Sequence, residues 1–174
     1  MTETEARPPP HKDFFDHLIT LRKRDTGPDR AAMARLRRSL GVEGMDYSAL
    51  MVVGVHLPAD LPDRDLDTYL LVAGLFALHP DPGGAGSLGK ALQQLRKALS
   101  VGAESLDRRF AALLDSDWED LPYRLRQIVQ LLESKKVPVN YTILLGHLKK
   151  KAWESEDHWV QRRWARDYWT GTSN

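Results

Sequence analysis

Apolar residues recur at helical spacing along most of this chain, in short stretches separated by proline and glycine. Leu88, Leu92, Leu95 and Leu99 form one such stripe, and the breakers "HPDPGG", "SVG" and "KKVP" stand between stripes. Apolar residues at i, i+3, i+4 and i+7 indicate an amphipathic helix, whereas strand-like alternation is nearly absent. The pattern predicts an all-α fold, a compact helical bundle of about eight short helices.

Two segments depart from this regular pattern of stripes and breakers. "NYTILLGHLKKKAW", residues 140–153, predicts a single helix after Pro138. The run "LMVVGVHLP", residues 50–58, predicts a possible extended piece.

The length favours one domain. A chain of 174 residues, of which 42% are hydrophobic, can build one substantial core and is short for two. We expect one all-helical domain over 13–170, with possible sub-bundles at about 13–100 and 101–170. Residues 1–12 and 171–174 are expected to be tails. The apolar stretch 66–78 carries hydrophobic residues on most sides and predicts a central, buried helix.

The chain has no cysteine, which excludes disulfides, thiolate metal sites and a cysteine nucleophile. Its start, "MTETEARPPPHKD", lacks the basic and then apolar build of a signal peptide. The longest apolar run, "YLLVAGLFAL", has ten residues, against the ~20 that a membrane span needs. We therefore expect a soluble cytoplasmic protein with no membrane partner.

The stretch "GAGSLGKA", residues 84–91, is one hydroxyl short of a phosphate-binding loop, because Ala91 stands where Ser or Thr would ligate Mg²⁺. Such a loop follows a strand directly, whereas here a helical stripe and "HPDPG" precede it. ATP binding is therefore not expected, and Ser87 is predicted to cap the next helix.

Other catalytic and metal-binding patterns are also missing. "DSDWED" begins like a calcium loop but has Asp120 in place of the required glycine and Arg126 in place of the required glutamate. The six histidines lack the i, i+4 pairing of a zinc helix and are expected at the surface or its boundary. No nucleophile elbow occurs. The sequence therefore predicts no cofactor, no metal site and no catalytic residue.

Net charge is only +1, but its distribution is uneven. Seven basic and two acidic residues lie between Arg22 and Arg38, and ten basic and five acidic residues follow Leu121. Between Ser39 and Asp81 there are seven acidic residues and a single basic one, Arg64. This layout favours a positive binding surface and a separate acidic one.

Many basic residues are predicted on helix faces opposite the apolar stripes: Arg35 and Arg38, Lys90 and Lys97, Arg108 and Arg109, and Arg162, Arg163 and Arg166. Charged outer faces are ordinary in soluble helices, so charge alone does not define a site. The excess of arginine over lysine, 16 to 9, favours phosphate recognition because a guanidinium binds phosphate bidentately. The tryptophans near the chain end could stack on bases, although core or docking roles fit them better.

Several segments together resemble the CasB family, the small subunit of the type I-E CRISPR surveillance complex Cascade. The resemblance covers residues 14–169 and is carried by "DRAAMARLRRSL", "LFALHP", "GSLGKALQQL", "RRFAALLDSD", "LPYRLRQIVQLL", "VPVNYTILLGHL" and "RRWARDYW".

The resemblance implies an all-helical protein of two small bundles without a catalytic site. Two copies would lie head to tail in Cascade, against the backbone subunits that hold the guide RNA and beside the large subunit. They would bind nucleic acid without sequence preference and help to hold the target and displaced non-target DNA strands of the R-loop, while a separately recruited helicase-nuclease cleaves.

The resemblance carries nucleic-acid contacts onto Arg37, Arg38, Lys90, Arg108, Arg109 and Arg126. Charge patterning adds Arg35, Arg124, Arg162 and Arg163. An alternative stays open: an adapter that meets only neighbouring proteins, with the acidic segment 39–81 docking on a basic partner.

Overall fold

The computed structural model describes residues 9–23 and 29–170, and most of the two expected tails lies outside them. Within these residues the chain forms ten α-helices, one 3-10 turn (Gly54–His56) and no strand. The helices are α1 (Lys12–Lys23), α2 (Arg30–Ser39), α3 (Tyr47–Val53), α4 (Asp63–Leu78), α5 (Leu88–Ala98), α6 (Ala103–Leu114), α7 (Leu121–Ser134), α8 (Tyr141–His147), α9 (Lys150–Trp153) and α10 (Trp159–Trp169). The predicted all-α fold is confirmed. No helix of the described ranges combines the length and apolar character of a membrane span.

The longest helix, α4, lies at the centre of the fold. It packs against α2, α3, α7 and α8, and nine of its residues are buried. Every helix contributes at least one side chain to a single apolar cluster that extends from Phe14 to Tyr168. The division into sub-bundles near residue 100 stays a prediction.

Short polar side chains begin several helices. Asp29, Asp46, Ser87 and Asn140 each accept a hydrogen bond from a backbone N–H of the first turn. Such caps satisfy donors that would otherwise lack a partner. The predicted Ser87 cap of α5 is thus confirmed, with Lys90 N as the donor at 3.4 Å.

The helices α5 and α10 approach each other unusually closely at Gly89. A Cβ at this position would lie 2.2 Å from the carbonyl oxygen of Trp164. The glycine of "SLGKA" therefore serves helix packing, because only a residue without a side chain allows this approach.

Three local predictions were wrong. Residues 50–56 are helical and not extended: Asp46 caps a helix, and burial of Ala49 and Val53 at i, i+4 favours helical over strand spacing. The single helix predicted over 140–153 is interrupted after His147. A continuous helix would place Leu148 and Trp153 about 140° apart around its axis, whereas the interruption lets both side chains bury.

The third correction concerns His79, which is buried and not at the surface boundary. Its Nε2–H donates to the Val137 carbonyl at 2.6 Å, and its own carbonyl accepts the Tyr141 hydroxyl at 2.5 Å. Burial raises the pKa of Tyr141 far above its usual range. These bonds attach the end of α4 to the first residue of α8 and to the segment that precedes it.

Candidate nucleic-acid interface

A groove between α6 and α7 collects three of the predicted arginines. On α6, the buried side chains Leu106, Phe110 and Leu113 occupy one face, so that Arg108 and Arg109 are exposed on the other. On α7, Leu125 is buried in the core, and its neighbour Arg124 lies half-buried at the rim of the same groove. The groove has a volume of about 270 Å³ and is lined by Ser105, Arg108, Arg109, Ala112, Arg124, Gln127 and Ile128.

The three guanidinium groups have no ion-pair partner among the described residues. Within the described chain, none of Arg108, Arg109 and Arg124 forms an ion pair with a carboxylate. Arg124 Nε–H is buried and has no acceptor among the described residues. A buried donor without a partner costs about 1–3 kcal/mol, so an anion that supplies an acceptor here would recover this cost.

The nearby Arg96 differs from these arginines. Its Nε and Nη2 donate to the two carboxylate oxygens of Asp107 at 2.8 and 3.1 Å. The Tyr168 hydroxyl donates to the same carboxylate at 2.5 Å. Hydrogen bonds from Arg96 and Tyr168 lower the pKa of Asp107, although burial opposes them. Arg96 therefore joins α5 to α6 and α10, and its charge is already neutralised.

Lys90, Arg162 and Arg163 lie along the α5–α10 contact. Asp167 accepts the Ser87 hydroxyl at 2.6 Å and Arg163 Nε–H at 3.1 Å. Burial alone would raise the pKa of Asp167, but these bonds and the charges of Arg163 and Lys90 lower it on balance. Arg163 therefore bonds directly to this carboxylate, whereas Lys90 acts on it only through its charge. Arg162 forms no ion pair within the described residues.

The remaining predicted residues lie at the end of α2. Arg35, Arg37 and Arg38 are exposed there, opposite the buried Met33 and Leu36. Arg126 extends from α7 toward the loop that follows α2, where its Nη1 lies 3.6 Å from the Cβ position of Gly41. The structure thus separates Arg126 from Arg124, although the two are only two residues apart in α7.

The ten predicted residues accordingly form three groups. The α6–α7 groove holds Arg108, Arg109 and Arg124. The α5–α10 contact holds Lys90, Arg162 and Arg163, and the end of α2 holds Arg35, Arg37, Arg38 and Arg126.

Sequence reasoning missed two polar members of the α6–α7 groove. Ser105 and Gln127 carry no charge and therefore do not appear in a charge pattern. Their helical spacing could have found them, since Ser105 precedes Arg108 and Gln127 follows Arg124 by three residues each. No group of three or more His, Asp or Glu side chains in the described ranges could hold a metal ion.

Comparisons with known proteins agree on one family. The family model for CRISPR-associated protein Cse2 matches residues 32–169. A curated protein from Thermus thermophilus, named CRISPR-associated protein Cse2, is 32% identical over 162 residues, which are 92% of this chain and 90% of its own.

Solved structures of the same family are similar to this chain in fold. The crystal structure of CasB from Thermus thermophilus is similar with a TM-score of 0.74 at 33% identity, covering 91% of this chain and 97% of that one. A chain of a CRISPR RNA-guided surveillance complex has a TM-score of 0.68 at 22% identity, covering 90% and 89%, and it shows the fold alone. The family expected from the sequence is therefore confirmed: this chain belongs to the CRISPR-associated Cse2 family, whose members are also named CasB.

Proposed function

We propose that this protein is the non-catalytic small subunit of a CRISPR Cascade surveillance complex. In that complex it binds nucleic acid without sequence preference and stabilises the guide RNA and the DNA strands of the R-loop in antiviral defence. Its protein partners would be the backbone subunits, the large subunit and a second copy of itself. Family membership and the likeness in fold to a chain of an RNA-guided surveillance complex support this assignment.

The single observation that carries the nucleic-acid role is the α6–α7 groove. Arg108, Arg109 and Arg124 line one groove and have no carboxylate partner within the described residues. A guanidinium presents a planar fork of N–H donors that matches two phosphate oxygens. Three such forks in one groove suit a phosphodiester backbone, whose charges repeat along the strand.

Contact with the backbone alone is sufficient for this role. In RNA-guided complexes, base pairing between guide and target supplies the sequence specificity. The subunit then needs only charge and shape to retain the strands. Such contacts release counterions from the nucleic acid, so that affinity falls steeply as salt rises.

The other two groups extend the proposed surface. Lys90, Arg162 and Arg163 would contact a strand along α5 and α10, and Arg35, Arg37, Arg38 and Arg126 would contact one near the end of α2. Arg163 is the most constrained of them, because its Nε–H is already bonded to Asp167.

Fluorescence anisotropy of the purified protein tests the proposal directly. We expect labelled single-stranded DNA, single-stranded RNA and duplex of two unrelated sequences to bind with little sequence preference and with a steep dependence on salt. Arg109→Ala should weaken binding and flatten the plot of log affinity against log salt by about one unit. The substitution should preserve the fold, because Arg109 is exposed on a helix and alanine favours helices.

Arg64→Ala is the matched control. Arg64 is also exposed, and its replacement removes the same charge, but it lies in the acidic segment at the start of α4. The proposal requires Arg109→Ala to weaken binding clearly more than Arg64→Ala. Equal effects of both variants would assign the binding to overall charge and would contradict a site in the groove.

A second candidate function is the adapter role, which one surface feature favours. Tyr47, Met51 and Val55 recur every fourth residue from α3 into the 3-10 turn, and all three are strongly exposed. They lie in the acidic segment 39–81, so a basic protein with an apolar pocket would suit them. If no strand binds even at low salt, while Met51→Ser impairs association with reconstituted partner subunits, the adapter role replaces the nucleic-acid role.

A further inference from the structure

The groove beside α8 and α10 has features that phosphate binding alone does not require. Its volume is about 540 Å³, and it is lined by Gly86, Ser87, Ile143, His147, Asp157, Trp159, Arg162, Arg163 and Arg166. This volume lies within the about 300–1,000 Å³ that is usual for sites of small ligands. Trp159 opens onto the groove and is 41% exposed, whereas Trp164 and Tyr168 of the same helix are buried.

One face of α10 combines this aromatic ring with three positive charges. Arg162, Arg163 and Arg166 follow Trp159 by three, four and seven residues, and these spacings place side chains on one side of a helix. Arg162 and Arg166 form no ion pair within the described residues, whereas Arg163 bonds to Asp167. The one acidic residue of the lining, Asp157, accepts the Ser155 hydroxyl at 2.9 Å. The groove therefore carries a net positive charge beside an exposed indole.

The indole of Trp159 is held in place from one side. The His147 ring meets it edge to face, with ring centroids 5.4 Å apart and an interplanar angle of 82°. Trp164 Nε1–H donates to His147 Nδ1 at 2.9 Å, which fixes the imidazole. Burial, followed by the charge of Arg163, lowers the pKa of His147 against the opposing effect of Asp167. His147 is therefore neutral near pH 7, as its acceptor role toward Trp164 requires.

We propose that this groove binds one unpaired nucleotide, whose base stacks on Trp159 while Arg162 and Arg166 hold the flanking phosphates. The inference rests on the proposed function and adds to it a preference for unpaired strands. An aromatic face accepts any of the four bases, so stacking keeps the binding indifferent to sequence. A base in a duplex is already stacked on its neighbours, so it gains nothing from the indole. The groove would thus favour the displaced strand of an R-loop over paired DNA.

The test compares two single strands of equal length and charge, an oligothymidylate and a strand of abasic sugar-phosphate units. Both are titrated by fluorescence anisotropy against the full chain at low salt. Loss of base stacking on one aromatic residue should weaken binding roughly 5- to 150-fold, so the oligothymidylate should bind more tightly by a factor in this range. Trp159→Ala should abolish the difference and leave abasic binding unchanged. Trp159→Phe, which keeps an aromatic face, should retain part of it.

Trp169→Ala is the control variant. Trp169 lies at the other end of α10 with a similar exposure of 44%, and it does not line the groove. It should leave the difference between the two strands intact.

The outcomes separate this inference from the function on which it rests. Equal affinity for both strands, with Arg109→Ala weakening each, would overturn base stacking and leave the α6–α7 groove standing. Base stacking on Trp159 would also be overturned if Trp159→Ala left the difference between the two strands intact. It would be overturned as well if this substitution impaired only the association with partner subunits, because Trp159 would then be a protein contact. Failure of both strands to bind would overturn the proposed function itself.

Discussion

Replacement of Gly89 by alanine tests whether the glycine of the "SLGKA" stretch serves helix packing. Gly89 is buried where α5 meets α10. An added Cβ would lie 2.2 Å from the Trp164 carbonyl oxygen and 2.8 Å from its carbonyl carbon and Cα. All three atoms belong to the backbone of α10. Relief of the overlap therefore requires the helix to move and not merely a side chain to rotate.

The size of the effect follows from two opposing contributions. Overpacking of a well-filled interior costs about 1–3 kcal/mol and sometimes more, and a backbone obstacle places this site at or above the upper end. Alanine in place of glycine within a helix recovers about 1 kcal/mol. We expect a net loss of about 2 kcal/mol in the free energy of unfolding, which in a chain of this length lowers the melting temperature by about 4–8 °C.

Thermal unfolding followed by circular dichroism measures this loss, with Gly146→Ala as the matched control. Gly146 also lies in a helix, but it is exposed and an added Cβ would meet nothing within 4 Å. Its replacement should raise the free energy of unfolding by at most about 1 kcal/mol. A melting temperature of Gly89→Ala equal to or above that of the unsubstituted protein would refute the packing argument.

Three further substitutions test other parts of the structure by the same unfolding assay. Lys136 follows α7 with a left-handed φ of 56°; Lys136→Gly should therefore stabilise the chain by about 0.5–1 kcal/mol, whereas Lys135→Gly, at a φ of −108°, should not. Ser87→Ala removes both the cap of α5 and a hydrogen bond to Asp167 and should cost about 1–2 kcal/mol; an unchanged stability would contradict the tie between α5 and α10. The pKa of Asp107 is lower in the folded than in the unfolded chain. Its contribution to the free energy of unfolding is therefore fully present above the unfolded-state pKa of about 3.9 and is lost as the pH falls through the folded-state pKa. Asp107→Asn should thus lower stability at pH 7 and reduce the further loss on acidification; an identical acid dependence in both proteins would exclude this role.

The long helices could be predicted from sequence because their apolar residues recur without interruption. The stripes of α5, α6, α7 and α10 correspond to the buried faces, and Val160, Trp164 and Tyr168 point inward as their spacing requires. The same reasoning wrongly predicted an extended piece within the region 47–56, because about half of the apolar side chains in this run are exposed. There, Met51 and Val55 face solvent while Ala49 and Val53 bury. Sequence spacing cannot tell a solvent-facing apolar side chain from a buried one when both lie within one turn.

The grouping of the basic residues needed tertiary contacts. Charge patterning placed Arg108 and Arg109 on an outer face, which the structure confirms. It could not show that Arg124 joins them across a groove while Arg126 turns toward Gly41. It also could not distinguish Arg96, whose charge Asp107 neutralises, from the arginines of the α6–α7 groove, which form no ion pair within the described part of the chain. The sequence also did not identify Trp159 as an exposed residue, because the spacing of the tryptophans does not show which of them lie at the surface.

Retention of target DNA by the assembled complex tests the central claim most directly. The complex would be reconstituted with its guide RNA and with the small subunit carrying Arg108→Ala and Arg109→Ala, and the dissociation of labelled target DNA would be followed over a salt series. Arg64→Ala serves as the control. The account predicts faster dissociation of DNA and a shallower salt dependence for the double variant, with complex assembly intact. Unchanged retention of DNA in a fully assembled complex would contradict the α6–α7 groove as a site that holds the strands.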